Sequence, residues 1–171
     1  ATTNSKNEPS VRMVLLKGLS KKGFVFYTNL NSPKSHDLKN NPKAAMCFHW
    51  KSLQRQVRIS GSGTQVSDED ADTYFNSRPY ESRIGAWASD QSKPMNERKE
   101  FLKKIKEFKK KYKDDKNLPR PNHWSGWCLN PSSIEFWLGD KNLYAITRYN
   151  PSSKYAMTVF LLSEEIASIG K

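Results

Sequence analysis

Two cations flank an apolar stretch near the start of the chain, in an arrangement that suits a phosphorylated ligand. Arg12 and Lys17 enclose the run Met13-Val14-Leu15-Leu16. The pattern predicts a strand over residues 11–17 that packs a core with its middle and places positive charge at its ends. Charge-assisted hydrogen bonds to phosphate are about twice as strong as neutral ones. We therefore expect a phosphate-bearing ligand at this segment.

The sequence shows no set of side chains able to carry out difficult chemistry alone. His36, His49 and His123 are scattered without the spacing of metal ligands. No nucleophile neighbours a base, and neither a Walker loop nor a Gly-x-Gly-x-x-Gly motif occurs. A protein without a redox or nucleophilic group of its own must bind a cofactor for such chemistry. We therefore expect no metal site, and a bound cofactor if the protein is an enzyme.

Short strands dominate the predicted elements that would position these residues. Turn residues separate runs of β-branched and aromatic residues, and Gly61-Ser62-Gly63 allows a bend or bulge. Many short strands with few helices favour a closed antiparallel barrel, which removes exposed sheet edges. The predicted strands are Ala1–Thr3, Val11–Lys17, Phe24–Thr28, Ala44–Trp50, Gln56–Ser60, Thr64–Val66, Trp124–Leu129, Ile134–Leu138, Leu143–Tyr149 and Tyr155–Leu162.

Three helices are predicted between the strands. The first begins at Ser32-Pro33 and ends before Pro42, because the residue before a proline avoids the α region. The second begins at a capping Ser67 followed by three acidic residues, and carries Tyr74 and Arg78 on one face. The third runs from about Asn96 to Tyr112 with an apolar stripe at helical spacing, which indicates core packing.

Composition and charge restrict the partners. The chain has 171 residues, which suits one domain, and a formal net charge of +12, which attracts anions by long-range steering. Seven lysines between Lys103 and Lys113 indicate a solvated helix face. Single-stranded nucleic acid is the rival partner, through segments such as Phe48-His49-Trp50-Lys51, but these aromatics alternate as barrel-core residues do. We predict no nucleic-acid partner.

The expected location is the cytoplasm. Cys47 and Cys128 show neither a metal-binding spacing nor a dense disulfide pattern, so a reducing compartment fits. No apolar run approaches the roughly 20 residues needed to cross a bilayer, and no signal-peptide pattern opens the chain. We expect a soluble protein without a membrane partner.

Several separate motifs resemble those of the pyridoxamine 5′-phosphate oxidase family, over about Ala1 to Asn142. The resemblance implies an FMN-binding split β-barrel, antiparallel and mainly β with flanking helices. It further implies a homodimer with FMN at the subunit interface, and a single domain over 1–171 that lacks a native N-terminal segment. The motifs are Arg12–Lys17, Gln54–Arg58, Tyr74–Pro79, Ser82–Trp87, Gln91–Ser92 and Glu135–Trp137.

The resemblance also implies roles for individual residues. The phosphate of FMN would meet Arg12 and Lys34, and no catalytic side chain is implied. For Arg78 the alternative is an ion pair with a nearby acid such as Glu81. The full set of implied FMN contacts is Arg12, Met13, Val14, Leu15, Tyr27, Thr28, Lys34, Gln56, Gln91, Ser92 and Trp137, and the phosphate of the substrate would meet Lys17, Tyr74, Arg78 and Ser82.

The implied reaction is oxidation of pyridoxamine or pyridoxine 5′-phosphate to pyridoxal 5′-phosphate, with O₂ as the acceptor. Residues 143–171 depart from the family pattern: family members usually continue Arg-Leu-His-Asp-Arg after Asn142, whereas this chain continues Leu143-Tyr144-Ala145-Ile146-Thr147. Pro33 also stands where an arginine usually precedes the matched lysine. A second interpretation is therefore a relative on the same fold that binds FMN or pyridoxal phosphate but has lost oxidase activity.

Overall fold

The computed structural model describes residues 1–20, 22–89, 97–113, 118–138 and 144–145, with only the backbone at 138, 144 and 145. The helices in these ranges are α1 (Pro33–Asn40), α2 (Asp68–Ser77), α3 (Tyr80–Ala88) and α4 (Arg98–Lys111), with a short 3-10 turn at Lys51–Leu53. The strands are β1 (Thr2–Thr3), β2 (Pro9–Ser10), β3 (Gly18–Ser20), β4 (Gly23–Asn29), β5 (Lys43–Trp50), β6 (Arg55–Gln65), β7 (Trp124–Leu138) and β8 (Tyr144–Ala145).

The described strands form one antiparallel sheet in the order β2-β1-β5-β6-β7-β4-β3, and β8 pairs with the far end of β7. The sheet curves strongly: Phe24 of β4 and Phe48 of β5 have ring centroids 6.3 Å apart, although two strands separate them in the sheet. This curvature encloses a core of buried apolar side chains. The predicted antiparallel barrel, mainly β with flanking helices, is confirmed.

Three apolar clusters form the core of the described structure, and two of them hold helices to the sheet. The barrel interior contains Phe24, Val57, Ile59, Leu129 and Ile134. A second cluster, centred on Phe75 and Trp124, joins α2, α3 and α4 to the first residues of β7. A third joins α1 to the barrel through Leu38. Burying an apolar side chain of this size contributes about 1.5–3 kcal/mol, so the second and third clusters fix the helices against the sheet.

The segment 11–17 differs from its prediction. It is not a strand: pairing begins where the Lys17 amide donates to the Val25 carbonyl at 2.9 Å, and β3 follows. Met13 and Leu15 are 97% and 70% exposed, and Leu16 packs against the barrel core. No strand within the described ranges lies beside this segment, so its alternating apolar side chains remain uncovered. The prediction of a strand whose middle packs a core was wrong.

Two predicted strands are one continuous strand. Trp124–Leu129 and Ile134–Leu138 are both parts of β7, in spite of Pro131 between them. Pro131 lies opposite Gly61, where the register with β6 shifts after Ser60. Proline lacks the N–H that a ladder needs, but a bulge tolerates this loss. The irregularity expected at Gly61 therefore lies opposite it, in β7, where Ser132 has no partner residue on β6.

The three predicted helices are confirmed as α1, α2 and α4, and α3 was not predicted. The hydroxyl of Ser67 accepts a hydrogen bond from the Asp70 amide at 3.1 Å, as a helix cap does. Arg78 follows the last residue of α2 with an extended backbone, so it does not share a helix face with Tyr74.

Of the two strands predicted after residue 142, only Tyr144–Ala145 lies within the described residues. None of the described helices combines the length and the apolar character that a membrane span requires.

Candidate functional site

A small pocket of about 40 Å³ lies between α1, the first residues of the chain and the barrel strands. It brings together Arg12, Val14 and Lys34, which the sequence analysis assigned to one ligand. We call it the Arg12–Lys34 pocket. Its remaining lining residues are Ala1, Thr2, Phe26, Leu38, Ala44, Ala45, Met46, Gly63 and Leu129.

Lys34 is a buried cation with uncharged partners. It lies in the first turn of α1 and is 7% exposed. Its Nζ donates to the hydroxyls of Thr28 at 3.0 Å and Ser32 at 3.2 Å. Burial, and then the nearby charge of Arg12, lowers the pKa of Lys34. Among the described residues this ammonium group has no carboxylate partner, so an anion entering the pocket would stabilise its charged form.

Arg12 adds a second positive charge to the same pocket. Its Nη1 donates to Thr2 Oγ1 at 2.6 Å, and its Nη2 lies 3.9 Å from the Asp37 carboxylate. Asp37 also accepts a 2.6 Å hydrogen bond from Thr2. Both cations line the pocket, but among the described residues the carboxylate of Asp37 lies beside Arg12 only, so it leaves the charge of Lys34 uncompensated. Donor groups with this uncompensated charge fit a phosphate.

A stack of parallel rings forms a second cluster of predicted site residues on the outer face of the barrel. The Tyr27 ring lies 4.0 Å from Tyr74 and 5.2 Å from Trp124, with interplanar angles of 13° and 7°. Gly126 makes room for this stack, because a Cβ there would lie 2.8 Å from the Tyr27 ring. Since neighbouring residues of a strand face opposite sides, Tyr27 points to this outer face and Thr28 to the Arg12–Lys34 pocket.

Arg78 lies against the ring stack. Its guanidinium carbon is 4.8 Å from the Trp124 ring centroid and 5.9 Å from that of Phe75. Nη1 of Arg78 is buried and has no hydrogen-bond partner within the described chain. Burial lowers the pKa of Arg78; Tyr74 opposes this change and Arg83 adds to it.

Glu81 is not the partner of Arg78 in the described part of the chain. Its carboxylate pairs with Lys109 Nζ at 2.7 Å, which ties α3 to α4. The ion pair weighed as the alternative for Arg78 is therefore absent from the ranges that the structure describes. Arg78 keeps its positive charge available for another anion.

A groove of about 570 Å³ runs along the outer face beside α2, and Tyr27 and Tyr74 line it. Lys17 is exposed beside Gly18, which lines the groove, and Ser82 lies half-buried in the first turn of α3. Among the described residues no hydrogen bond, ion pair or ring contact joins Lys17 or Ser82 to Arg78. The structure thus groups Tyr27, Tyr74 and Arg78, and leaves Lys17 and Ser82 outside that group.

The other predicted cofactor residues lie elsewhere. Gln56 and Trp137 are directly opposite each other on β6 and β7, and Trp137 is 41% exposed. Met13 and Leu15 project from the segment 11–17. Gln91 and Ser92 lie outside the described residues. Within one chain, the implied FMN contacts therefore occupy several separate surfaces.

Sequence reasoning missed some of the polar residues that surround Lys34. Ser32 was identified only as a helix start, although a serine two positions before a lysine lies within reach of its side chain. Asp37 could have been found from its spacing, because it lies one helical turn after Lys34. Thr2 had no local indication, since its contact with Arg12 requires β1 to pair with β2.

Comparison with known protein families assigns the chain. The family model described as "Pyridoxamine 5'-phosphate oxidase" matches residues 1–112. The chain belongs to the pyridoxamine 5′-phosphate oxidase family. The resemblance found in the sequence is thereby confirmed.

Individual relatives of the pyridoxamine 5′-phosphate oxidase family agree with this assignment. The protein named pyridoxine/pyridoxamine 5′-phosphate oxidase from Pelagibacter ubique is 57% identical over 164 residues, which cover 95% of this chain and 79% of that protein. The protein of the same name from Agrobacterium fabrum is 54% identical over 137 residues, which cover 80% of this chain and 66% of that protein. The chain therefore spans about two thirds to four fifths of these relatives.

Solved structures agree with the fold of the family. PhzG from Burkholderia lata, crystallised with tetrahydrophenazine-1-carboxylic acid, has a TM-score of 0.75 at 23% identity, over 88% of this chain and 79% of that one. A pyridoxamine 5′-phosphate oxidase-related, FMN-binding protein from Nostoc punctiforme has a TM-score of 0.64 at 15% identity, over 88% of this chain and 85% of that one. Both likenesses support the split β-barrel fold alone.

A second family model, described as "Transglycosylase SLT domain", matches residues 83–164. This match covers less than half of the chain and overlaps the first one. It includes β7, which pairs along its length with β4 and β6 of the barrel. The strand β7 within this match is therefore part of the same sheet as the strands of the first match, and the second match does not change the assignment.

Proposed function

We propose that the protein oxidises pyridoxamine 5′-phosphate or pyridoxine 5′-phosphate to pyridoxal 5′-phosphate with bound FMN and O₂. Family membership and relatives named for this activity support the reaction. The observation that supports it most strongly is the Arg12–Lys34 pocket, which two cations line and where the described carboxylate of Asp37 lies beside Arg12 only. A phosphorylated cofactor is the ligand that this uncompensated charge favours.

FMN, when bound, would supply the two-electron oxidation and pass the electrons to O₂. The role of the protein is to hold the phosphorylated cofactor and the phosphorylated substrate in the correct relative position. Arg12, Lys34 and Thr28 would hold the cofactor phosphate, and Val14 would contact the cofactor beside them. This arrangement needs no acid and base pair from the protein, because the protein acts chiefly by positioning.

The substrate phosphate would bind on the outer face at Arg78, with Tyr74, Lys17 and Ser82 as further contacts. The buried Nη1 of Arg78 supports this proposal, since a guanidinium binds phosphate through paired N–H groups. Tyr27, which stacks on Tyr74, would lie between the cofactor and the substrate. The phosphate anchor would then orient the reacting carbon.

A second copy of the chain would complete the cofactor site. The uncovered side chains of Val11, Met13 and Leu15 support a homodimer, because apolar surface of this kind is stabilised by burial against a partner. Gln56 and Trp137, together with Gln91 and Ser92, would contact FMN across this interface. We propose the cytoplasm as the location, in keeping with two free cysteines.

The test uses the full chain saturated with FMN. We expect a flavin absorption spectrum after gel filtration, and hydrogen peroxide on addition of pyridoxamine 5′-phosphate. Protein that retains flavin but forms no peroxide at saturating substrate would instead be the binding relative that the departure after Asn142 suggested. Protein that retains no flavin would contradict both.

Variants test the proposed substrate-phosphate site separately from the FMN phosphate site. Arg78→Ala and Lys17→Ala should raise the substrate KM by about tenfold, the effect of one charged hydrogen bond, and leave FMN bound. Lys106→Ala on the outer side of α4 is the matched control and should behave as wild type. Unchanged KM values in the first two variants would count against their assignment.

A further inference from the structure

The ring of Trp124 is the surface on which Arg78 rests. Trp124 begins β7 and is buried in the second cluster, where the edge of Phe75 meets its ring at 5.2 Å. Its position is therefore fixed from several sides before any ligand binds.

In the described part of the chain, Arg78 lies against two rings and has no ion pair. It lies beyond the end of α2, and the described residues show no carboxylate paired with it. Its guanidinium carbon lies 4.8 Å from the ring centroid of Trp124 and 5.9 Å from that of Phe75. A guanidinium that rests on the face of a ring keeps its N–H groups available to the oxygens of a phosphate, because the ring face does not occupy them with hydrogen bonds.

We propose that Trp124 is a positioning residue that holds Arg78 in the orientation for binding the substrate phosphate. This inference rests on the proposed function and adds a residue that was assigned no role in the sequence. Trp124 does not touch the phosphate; it acts through Arg78. It also links that arginine to Tyr27, which stacks on its ring at 5.2 Å.

The inference predicts an effect on one part of the ligand only. Removing the indole leaves Arg78 with more orientations, so affinity for the phosphate group falls. Affinity for the pyridine ring of the same ligand should not change. A general loss of structure would weaken phosphorylated and unphosphorylated ligands alike.

The experiment measures the dissociation constants of pyridoxal 5′-phosphate and of pyridoxal for the FMN-loaded full chain. Trp124→Leu should weaken binding of the phosphorylated ligand by about tenfold, which is the size of one desolvated cation–ring contact, and leave pyridoxal unchanged. Trp124→Phe should recover part of the loss. Trp50→Leu, which removes an indole from the barrel cluster, is the control and should leave the ratio of the two constants at the wild-type value.

A double-mutant cycle with Arg78→Ala tests the coupling. If Trp124 acts through Arg78, Trp124→Leu has no further effect on the phosphorylated ligand once Arg78 is gone. Additive effects, or equal weakening of both ligands in Trp124→Leu, would overturn the inference and leave the proposed function standing. Wild-type protein that bound neither ligand would instead overturn the proposed function, and this inference with it.

Discussion

The ammonium group of Lys34 donates a 3.0 Å hydrogen bond to the hydroxyl of Thr28, with both side chains buried. A lysine in this position is costly to the fold, because burial disfavours its charged form. No carboxylate within the described residues pairs directly with it. The unfavourable burial of this charge is explained if the ammonium group binds an anionic ligand. This explanation leads to separate predictions for the stability of the protein and for ligand binding.

Lys34→Met should separate these two properties. We expect the FMN dissociation constant to rise at least about tenfold, because a charged hydrogen bond to the phosphate is lost. The free energy of unfolding without FMN should be equal to or higher than that of wild type. Urea unfolding and fluorescence titration with FMN measure the two effects. Lys39→Met, in the exposed last turn of α1, is the control; wild-type FMN affinity in Lys34→Met would contradict the assignment.

The pH dependence of the FMN-free protein follows from the lowered pKa of Lys34. Between this folded pKa and the ordinary lysine value, the unfolded chain holds more protons, so stability rises with pH in that window. FMN affinity should change in the opposite direction, because the cation that meets the phosphate is lost as pH rises. Both slopes should be smaller in Lys34→Met, and identical slopes in the two proteins would exclude Lys34 as their source.

Gly126→Ala should disturb the ring stack directly. The added Cβ would lie 2.8 Å from the Tyr27 ring and 3.1 Å from Val66, so the tyrosine must move. Overpacking of this kind costs about 1–3 kcal/mol, and the substrate KM should rise as Tyr27 shifts against Tyr74. Gly85→Ala is the matched control, because nothing lies within 4 Å of its Cβ position and alanine favours a helix. It should stabilise the protein or leave it unchanged.

Sequence patterns predicted the elements whose stabilising contacts are local. The Ser67 cap of α2 and the apolar stripe of α4 before Tyr112 each depend on residues close together in the sequence, so both helices were predicted. The helix α3 follows Pro79 without a side-chain cap and contains Gly85, so no local pattern indicated it. The two strands predicted at Trp124–Leu129 and Ile134–Leu138 are one strand, because a bulge in β7 that leaves Ser132 unpaired accommodates Pro131 opposite Gly61, and this pairing depends on a strand far away in the sequence.

In the candidate site too, contacts between residues far apart in the sequence could not be predicted from local patterns. That Arg12 and Lys34 share one pocket was implied by the resemblance, and no spacing rule relates residues so far apart in the sequence. The resemblance assigned both Tyr27 and Thr28 to FMN, whereas the alternation of side chains along β4 turns them to opposite sides. The contact of Arg78 with Trp124 was beyond sequence reasoning, since it depends on how α2 packs against β7.

Arg120 holds α2 against the start of β7, and this contact predicts a linked effect on stability and substrate binding. Its Nη2 donates to Asp68 at 2.7 Å, its Nε donates to Asp72 at 2.5 Å, and its Nη1 donates to the Trp124 carbonyl at 2.7 Å. Since α2 also carries Tyr74, loosening it should move the ring stack. Arg120→Met should lower the free energy of unfolding by about 1–2 kcal/mol, because partly exposed carboxylates reduce the gain from each charged hydrogen bond.

Arg120→Lys should recover little of this loss, because an ammonium group cannot reproduce the fork that reaches three acceptors. The substrate KM should rise in both variants while kcat stays near wild type. Arg58→Met is the control: Arg58 makes a single 2.5 Å pair with Glu135 at an exposed position, which contributes about 0–1 kcal/mol. Urea unfolding and steady-state kinetics measure the difference. Equal destabilisation by Arg120→Met and Arg58→Met would show that the three-acceptor contact adds nothing beyond an ordinary surface ion pair.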